Sequence, residues 1–426
     1  MNPRTGRRGS WKLKGAFNIQ ELPPVLVVDI LSRLSIKTLY SCRSVCKDWL
    51  RIIHGSEFAQ LHLRRSPISI LVKTFPKIRA NRKLDLIQIA GSRMRVERMR
   101  FSDDNNVLPV WPVYMVELIN SCNGLLCIRK VTDYDSLHVC NPILGEYIRI
   151  AFPDRSTCTD FIALGFSTRT NEYKILHTHY CSNYGTYDLI YTIGTGVWRR
   201  IGKRPSRSRV GRIPFNSFLH GALHWFPCHN PHQGIECFDF EREEFRQLLL
   251  PFGFKRYDGA SYYKRYDGLR LGVLKDCLFL CVFEGDDGKS DVWLMKNYGV
   301  QESWTKVLVI EVREHLHPKT IYRDMRYAYE PILFLSDVEM LIMSCDRLVV
   351  RYNLVTKCVE RTRIVQTESQ FQACDYYPCF VSLHDVANGE EVKRIRDSEK
   401  FGSLLSEGSN DCTGSTVPPD YKTCEA

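Results

Sequence analysis

Two textures of hydrophobic patterning divide the chain. Between Leu22 and Trp49 the apolar residues recur at helical spacing: Leu26, Ile30 and Leu34 lie four apart, with Val27 and Leu31 beside them. Pro23 and Pro24 open this run, and proline suits the first turn of a helix because its missing N–H has no intrahelical partner there. Ser35 is placed to cap a second helix carrying Leu39, Cys42 and Val45, and a short third turn about Lys47 and Asp48 presents Trp49, Ile52 and Ile53. Three helices this short enclose little interior, so the segment needs a second surface to cover its apolar residues.

From about residue 65 the period shortens to that of strands. Runs such as ISILVKTF, LDLIQIAG, GLLCIRK, YKILHTHY, CLFLCVFEG, EMLIMSC and RLVVRYNL are punctuated by Gly, Asn, Asp and Pro. With no long amphipathic helix among them, they predict an all-β domain. A strand, a turn and a closing strand recur, with Gly145, Gly196, Glu243, Glu302 and Thr356 as equivalent turn positions roughly 47 to 59 residues apart, the spacing of four-stranded propeller blades. A large side chain follows the turn in four of these units: Tyr147, Trp198, Phe245 and Trp304. Repetition at equivalent places predicts packing between blades rather than ligand stacking. The segment 66–118 is too weakly patterned to count blades, and leaves open whether the closing blade draws strands from both ends of the domain.

Composition narrows the function classes. Of 426 residues, 44% are hydrophobic and 25% charged, as in a globular protein. No run of about 18 uncharged apolar residues is present, and the start, MNPRTGRRGSWKLKG, lacks a secretory h-region, so the expected place is cytosol or nucleus, with no membrane partner. The 17 cysteines are an odd, scattered set; Cys127, Cys237, Cys277 and Cys281 sit in apolar runs and read as small buried hydrophobes. His177, His179 and Cys181 are the best metal-like group, but no C-x-x-C accompanies them, so they read as an exposed strand face with no metal and no cofactor. The net charge of +11 gathers in the N-terminal tail, in 73–100 and in 199–212. Neither a groove-reading helix nor interleaved aromatics accompanies it, which argues against nucleic acid. No G-x-S-x-G, H-E-x-x-H, P-loop or G-x-G-x-x-G is found, so the chain reads as a non-catalytic protein.

The first segment resembles the F-box, by which receptors of Skp/cullin/F-box ubiquitin ligases grip a Skp-family adaptor. Leu22, Pro23, Asp29, Ile30, Leu31, Arg33, Leu34, Ile36, Lys37, Leu39, Arg43, Val45, Cys46, Lys47 and Trp49 fit that pattern; Ser35 replaces its usual proline, and Pro24-Val25 its acidic start. The strand region resembles the F-box-associated domain of plant F-box proteins through NSCNGLLCI, VCNPILGEYIRI, ALGFSTRTNEYKIL, GVWRRI, HGALHW, IECFDFEREEFRQLLLP, LGVLKDCLFLC, DVWLMKNYGVQESWTK and LVVRYNLVTK, in that order over 120–357.

Together these imply a mainly β protein with a small helical N-terminal module: a basic tail (1–18), an F-box (19–64), a β-propeller of four-stranded blades (65–386) and a disordered tail (387–426). They further imply the substrate-recognition subunit of a ubiquitin ligase, binding a Skp-family adaptor, through it a cullin, and an unknown target. The alternative is an adaptor-binding scaffold that sequesters a partner without ubiquitination. The adaptor surface is expected at Leu22, Pro23, Ile30, Leu31, Leu34, Ile36, Leu39, Val45 and Trp49, with Asp at both Leu31 and Leu34 expected to abolish adaptor binding while sparing the propeller. Target contacts are expected in the loops 154–159, 204–212, 228–233 and 255–270, the last offering Tyr257, Tyr262, Tyr263 and Tyr266, since Tyr is favoured at interface hot spots.

Overall fold

The structure is a computed structural model that describes residues 22–65, 69–75, 83–90, 95–100, 116–153, 161–181, 185–202, 214–227, 234–253, 269–284, 289–311, 329–344, 348–362, 364–365 and 369–394. Four short helices come first: α1 (Pro24–Leu31), α2 (Ile36–Cys42), α3 (Lys47–His54) and α4 (Ser56–Arg65). Pro24 stands at the start of α1, and the Ser35 side chain accepts the Thr38 N–H, the cap that the sequence predicts. The fourth helix is unanticipated: its inward residues Phe58, Ala59 and His62 are all buried, and the histidine breaks an otherwise apolar stripe.

The rest is a six-bladed propeller. Blade 1 takes β1 (Ser69–Phe75), β2 (Leu84–Ala90) and β3 (Arg95–Arg100). Blade 2 holds β4 (Val116–Cys122), β5 (Leu125–Lys130), β6 (Ser136–Asn141) and β7 (Glu146–Ala151); blade 3 holds β8 (Phe161–Ser167), β9 (Glu172–Cys181), β10 (Gly185–Thr192) and β11 (Trp198–Arg200). Blade 4 is β12 (Phe218–Leu219), β13 (Ala222–Trp225), β14 (Ile235–Asp239) and β15 (Glu244–Leu248); blade 5 is β16 (Leu269–Leu274), β17 (Cys277–Glu284), β18 (Lys289–Met295) and β19 (Trp304–Glu311). Blade 6 is β20 (Tyr329–Phe334), β21 (Glu339–Ser344), β22 (Leu348–Asn353) and β23 (Val359–Arg361). Then β24 (Gln370–Asp375) returns to pair with β1, from Ile70↔Asp375 to Phe75↔Gln370, so blade 1 is built from both ends of the domain. This closure covers the inner edge of β1 and holds the ring shut, leaving only the short outer strand of each blade as an edge.

The five turn positions read from the sequence fall between the third and fourth strands of blades 2 to 6. Gly145, Gly196, Glu243 and Lys357 there adopt positive φ, which explains why Gly recurs at such tight turns. Two residues after the turn, the expected joints form: the Trp198 indole N–H donates to the Ala151 carbonyl of blade 2 at 2.8 Å, and that of Trp304 to Leu249 of blade 4 at 2.9 Å. Phe245 packs with Ile201 of blade 3 against a core containing Trp225 and Phe238. On the inner strands, the Asn120 amide substitutes for a missing sheet neighbour, donating to Leu164 O (2.8 Å) and accepting from Leu164 N (2.9 Å).

Two expectations are corrected. His177 is not on an exposed face: it is wholly buried, with its ring 4.6 Å from Phe152 and 5.7 Å from Trp198. The ordered chain also does not stop at 386. After α5 (Leu383–Val386) comes β25 (Val392–Arg394), a fifth strand on β7 with Val392 opposite Ile148 and Arg394 opposite Glu146. Among the described cysteines Cys127, Cys237 and Cys281 are fully buried, Cys277 is half-buried, and all are free thiols.

Candidate interaction surfaces

The helices form a clasp around Asp29. Arg65 at the end of α4 donates to the Asp29 carboxylate (2.6 Å) and to Ser32 Oγ (2.8 Å), while Arg33 pairs with the same carboxylate at 3.1 Å. These side chains hold the Asp29 carboxyl below its usual pKa, chiefly through the Arg33 hydrogen bond. Beneath, a His62 ring nitrogen lies 3.2 Å from the Leu34 carbonyl and the ring stacks on Phe58; burial lowers its pKa.

The inner side of this clasp is spent on the propeller. Leu31, Ile36, Leu39, Ile53 and Phe58 share one core with Leu71, Leu86, Leu126 and Ile143 of blades 1 and 2, and the Ile36 N–H donates to the Gln88 side chain of β2 at 3.1 Å. Leu31, Ile36 and Leu39 have no exposed surface. They are therefore withdrawn from the expected adaptor surface, and Asp at Leu31 would put a charge into the joint rather than spare the propeller. Leu22, Leu34 and Trp49 are half-buried against the same core, and Pro23 is exposed.

The outer side remains open. Val25 is 76% exposed, Val45 56%, Leu26 49%, Ile30 41% and Leu50 36%. Leu26 and Ile30 stand four apart in α1, one outward stripe of the helix. Of the nine expected residues, Ile30 and Val45 are exposed apolar side chains; Val25, Leu26 and Leu50 join them and were not expected. For Val25 and Leu26 the signal was masked by the run Val25-Leu26-Val27-Val28, in which every position is apolar and periodicity cannot say which side faces out.

The two ends of the propeller differ. In each of blades 2 to 6 the first-to-second and third-to-fourth strand turns lie at one end, and the chain enters the first strand and leaves the fourth at the other. The helices meet the turn end of blades 1 and 2, near Gln88, Ile143 and Glu146. The segments expected to contact a target leave from the opposite end; Tyr257, Tyr262, Tyr263 and Tyr266 lie outside the described residues. At the near end of that last segment Arg270 belongs to β16 and pairs with Glu330 of blade 6 at 3.3 Å.

At the joint, Glu146 is a nearly sealed anion. It accepts from Ser382 Oγ (3.0 Å), the Leu383 N–H (2.9 Å) and Arg394 (2.8 Å), and Arg43 of the helical segment lies within its field. Burial, then the nearby Arg43 charge, keeps the pKa of His54 below its ordinary value. No group of three metal-holding side chains forms among the described residues, and none of their helices is long and apolar enough to cross a membrane.

The family model described as the F-box associated beta propeller domain matches residues 78–383. The chain belongs to that family. An F-box-like model matches residues 19–61, covering the clasp up to α4. Curated relatives agree: the Arabidopsis thaliana F-box protein At3g07870 is 28% identical over 323 residues, covering 68% of this chain and 72% of its own length. The Arabidopsis thaliana F-box/kelch-repeat protein At3g23880 is 26% identical, covering 69% of this chain and 80% of its own, and the Arabidopsis thaliana F-box protein CPR1 is 25% identical, covering 83% and 86%. An F-box joined to its associated propeller supports a substrate-recognition role: the F-box implies a Skp-family adaptor, the propeller a target, and the family an adaptor rather than a catalytic role.

Proposed function

We propose that this F-box protein is the substrate-recognition subunit of a Skp/cullin/F-box ubiquitin ligase, acting in the cytosol or nucleus. The observation that carries the reading is the division of the F-box: Leu31, Ile36, Leu39 and Ile53 are sealed against the propeller, while Val25, Leu26, Ile30, Val45 and Leu50 stay in solvent on the segment that matches the F-box-like model. Covering these side chains, each already partly buried, contributes up to roughly 1.5–3 kcal/mol apiece before the costs of association, a substantial apolar share of an interface. The target is held by the end of the propeller away from the F-box. The chain supplies proximity: the conjugating enzyme, brought by the cullin, meets target lysines at raised effective concentration.

Co-purification with a plant Skp-family adaptor and its cullin tests this, comparing wild type with the Leu26→Asp, Val45→Asp double variant. The expected result is capture of both by wild type and of neither by the variant. Capture of adaptor without cullin would instead make the protein a sequestering scaffold, and equal capture by the variant would sink the interface.

A further inference from the structure

The chain after β24 does something that blade closure does not require. It crosses the turn end of blade 2, forms α5, and pairs as β25 on the outer edge of that blade. Along the way it is bonded to blades 2 and 3. Tyr376 Oη donates to the Gly124 carbonyl in the β4–β5 turn at 2.7 Å. The Asn141 amide, whose oxygen accepts from Ile143 N to hold its own turn, donates to the Cys379 and Val381 carbonyls at 3.1 and 2.8 Å. Glu146 binds Ser382, Leu383 and Arg394 as described, and Glu390 accepts from Tyr191 Oη (2.7 Å) and Gly194 N (2.5 Å) of blade 3.

Two turn glycines show how close this passage is. A Cβ on Gly124 would lie 2.5 Å from Cys379 Sγ and 2.6 Å from the Tyr377 carbonyl, and one on Gly194 2.8 Å from Asn388 Cβ. Both glycines also sit at positive φ, where a side chain is strained in itself, so the crossing segment is a second, steric reason for glycine at these places. On its other side the segment meets the F-box. Phe380 is 1% exposed within the core that holds Leu31, Leu39 and Ile53, and the His62 ring lies 5.8 Å from it and 6.0 Å from Phe58.

We propose that residues 376–394 are a strap that fixes the orientation of the F-box on the propeller, so that the separation between the exposed F-box residues and the loop-bearing end is a built-in property of the chain. Its purpose rests on the ligase reading above; its geometry does not. The helices already rest on blades 1 and 2 through Leu31, Ile36, Leu39, Ile53 and Phe58 and through the Ile36–Gln88 bond. The strap adds a further buried contact to that joint through Phe380 and anchors it to blades 2 and 3. A receptor that works by proximity gains from this, because a rigid body holds target and conjugating enzyme at one distance instead of averaging over many.

Amide hydrogen exchange on the full chain, without adaptor, tests the strap. Glu146→Ala removes three strap bonds but no atom of the F-box core, and Gly124→Ala pushes the strap off its turn. Both are expected to speed exchange in α1–α4 by about tenfold or more while β12–β22 stay as protected as in wild type. Should Gly124→Ala fail to fold, Glu146→Ala decides alone. Fast exchange at Leu383 with wild-type protection of α1–α4 would overturn the proposal, since the F-box would then stay put with its strap released. Adaptor capture is read separately: strap variants still capture adaptor, so loss of capture by Leu26→Asp with no strap effect, or the reverse, shows which reading has failed.

Discussion

The propeller and the F-box solve the same problem of burying short apolar elements, and only the propeller solves it alone. Each blade lends one face to each neighbour, and Trp198 and Trp304 bond blade to blade, so the ring covers itself. The four helices bury Leu31, Ile36 and Leu39 on blades 1 and 2 yet leave Val25, Leu26, Ile30 and Val45 in water. The difference teaches that function here is read from incomplete burial: the half that needs a partner is the half the fold does not finish.

The sharpest way to break the comparison is to put the same charge on each side of α1. Leu31→Asp buries a carboxylate with no partner in the joint and should cost about 4 kcal/mol or more, seen as loss of helix protection and a lower Tm. If it left the melt unchanged, the inward half would be wrongly assigned. Cutting into the ring comes next: Trp304→Ala empties the joint between blades 4 and 5 and gives up its bond to Leu249, an expected loss of about 3–5 kcal/mol in denaturant titration.

Buried groups of the propeller also respond oppositely to pH. Burial lowers the pKa of His138 and of His224 to about 4. Below about 6.5 the unfolded chain takes up protons that these folded imidazoles refuse, so stability falls as pH drops from about 6.5 to 4, by roughly 3 kcal/mol for each. Burial raises Asp375, on inner strand β24, to about 7. There the folded carboxyl keeps a proton that the unfolded one releases near 4, so its contribution falls as pH rises toward 7. The two slopes oppose each other between about pH 4 and 6.5. Replacing Asp375 with Asn should steepen the acid-side loss of stability, measured as Tm against pH; an unaltered profile would mean that Asp375 is ionised in the fold. The smallest effect is on the outer side: Leu26→Asp should change stability by about 0.5 kcal/mol or less, because Leu26 already faces water.

How much of this could be read from the sequence follows from where each constraint lies. The F-box was legible because its pattern runs through fifteen positions in one stretch, and the third-to-fourth strand turns were legible because Gly145 and Gly196 sit in the left-handed region that favours glycine. Blade 1 was not, because β1 finds its inner neighbour in β24, some three hundred residues away, and no local pattern reports that pairing. The strap was hidden for the same reason. Glu146 looks like an ordinary charge at a strand start, and Gly124 and Gly194 look like ordinary turn glycines, until the returning chain is laid against them. Leu31 was placed on the partner surface because the F-box pattern names apolar positions without saying which of them a neighbouring domain will claim.

Titration of the purified chain with a plant Skp-family adaptor by calorimetry, beside thermal melts of the same samples, tests the division of the F-box most directly. Leu26→Asp should lose at least about a hundredfold in affinity while melting within about two degrees of wild type. Affinity within a factor of three of wild type, in a protein that melts normally, would contradict the assignment of an outward face to the adaptor.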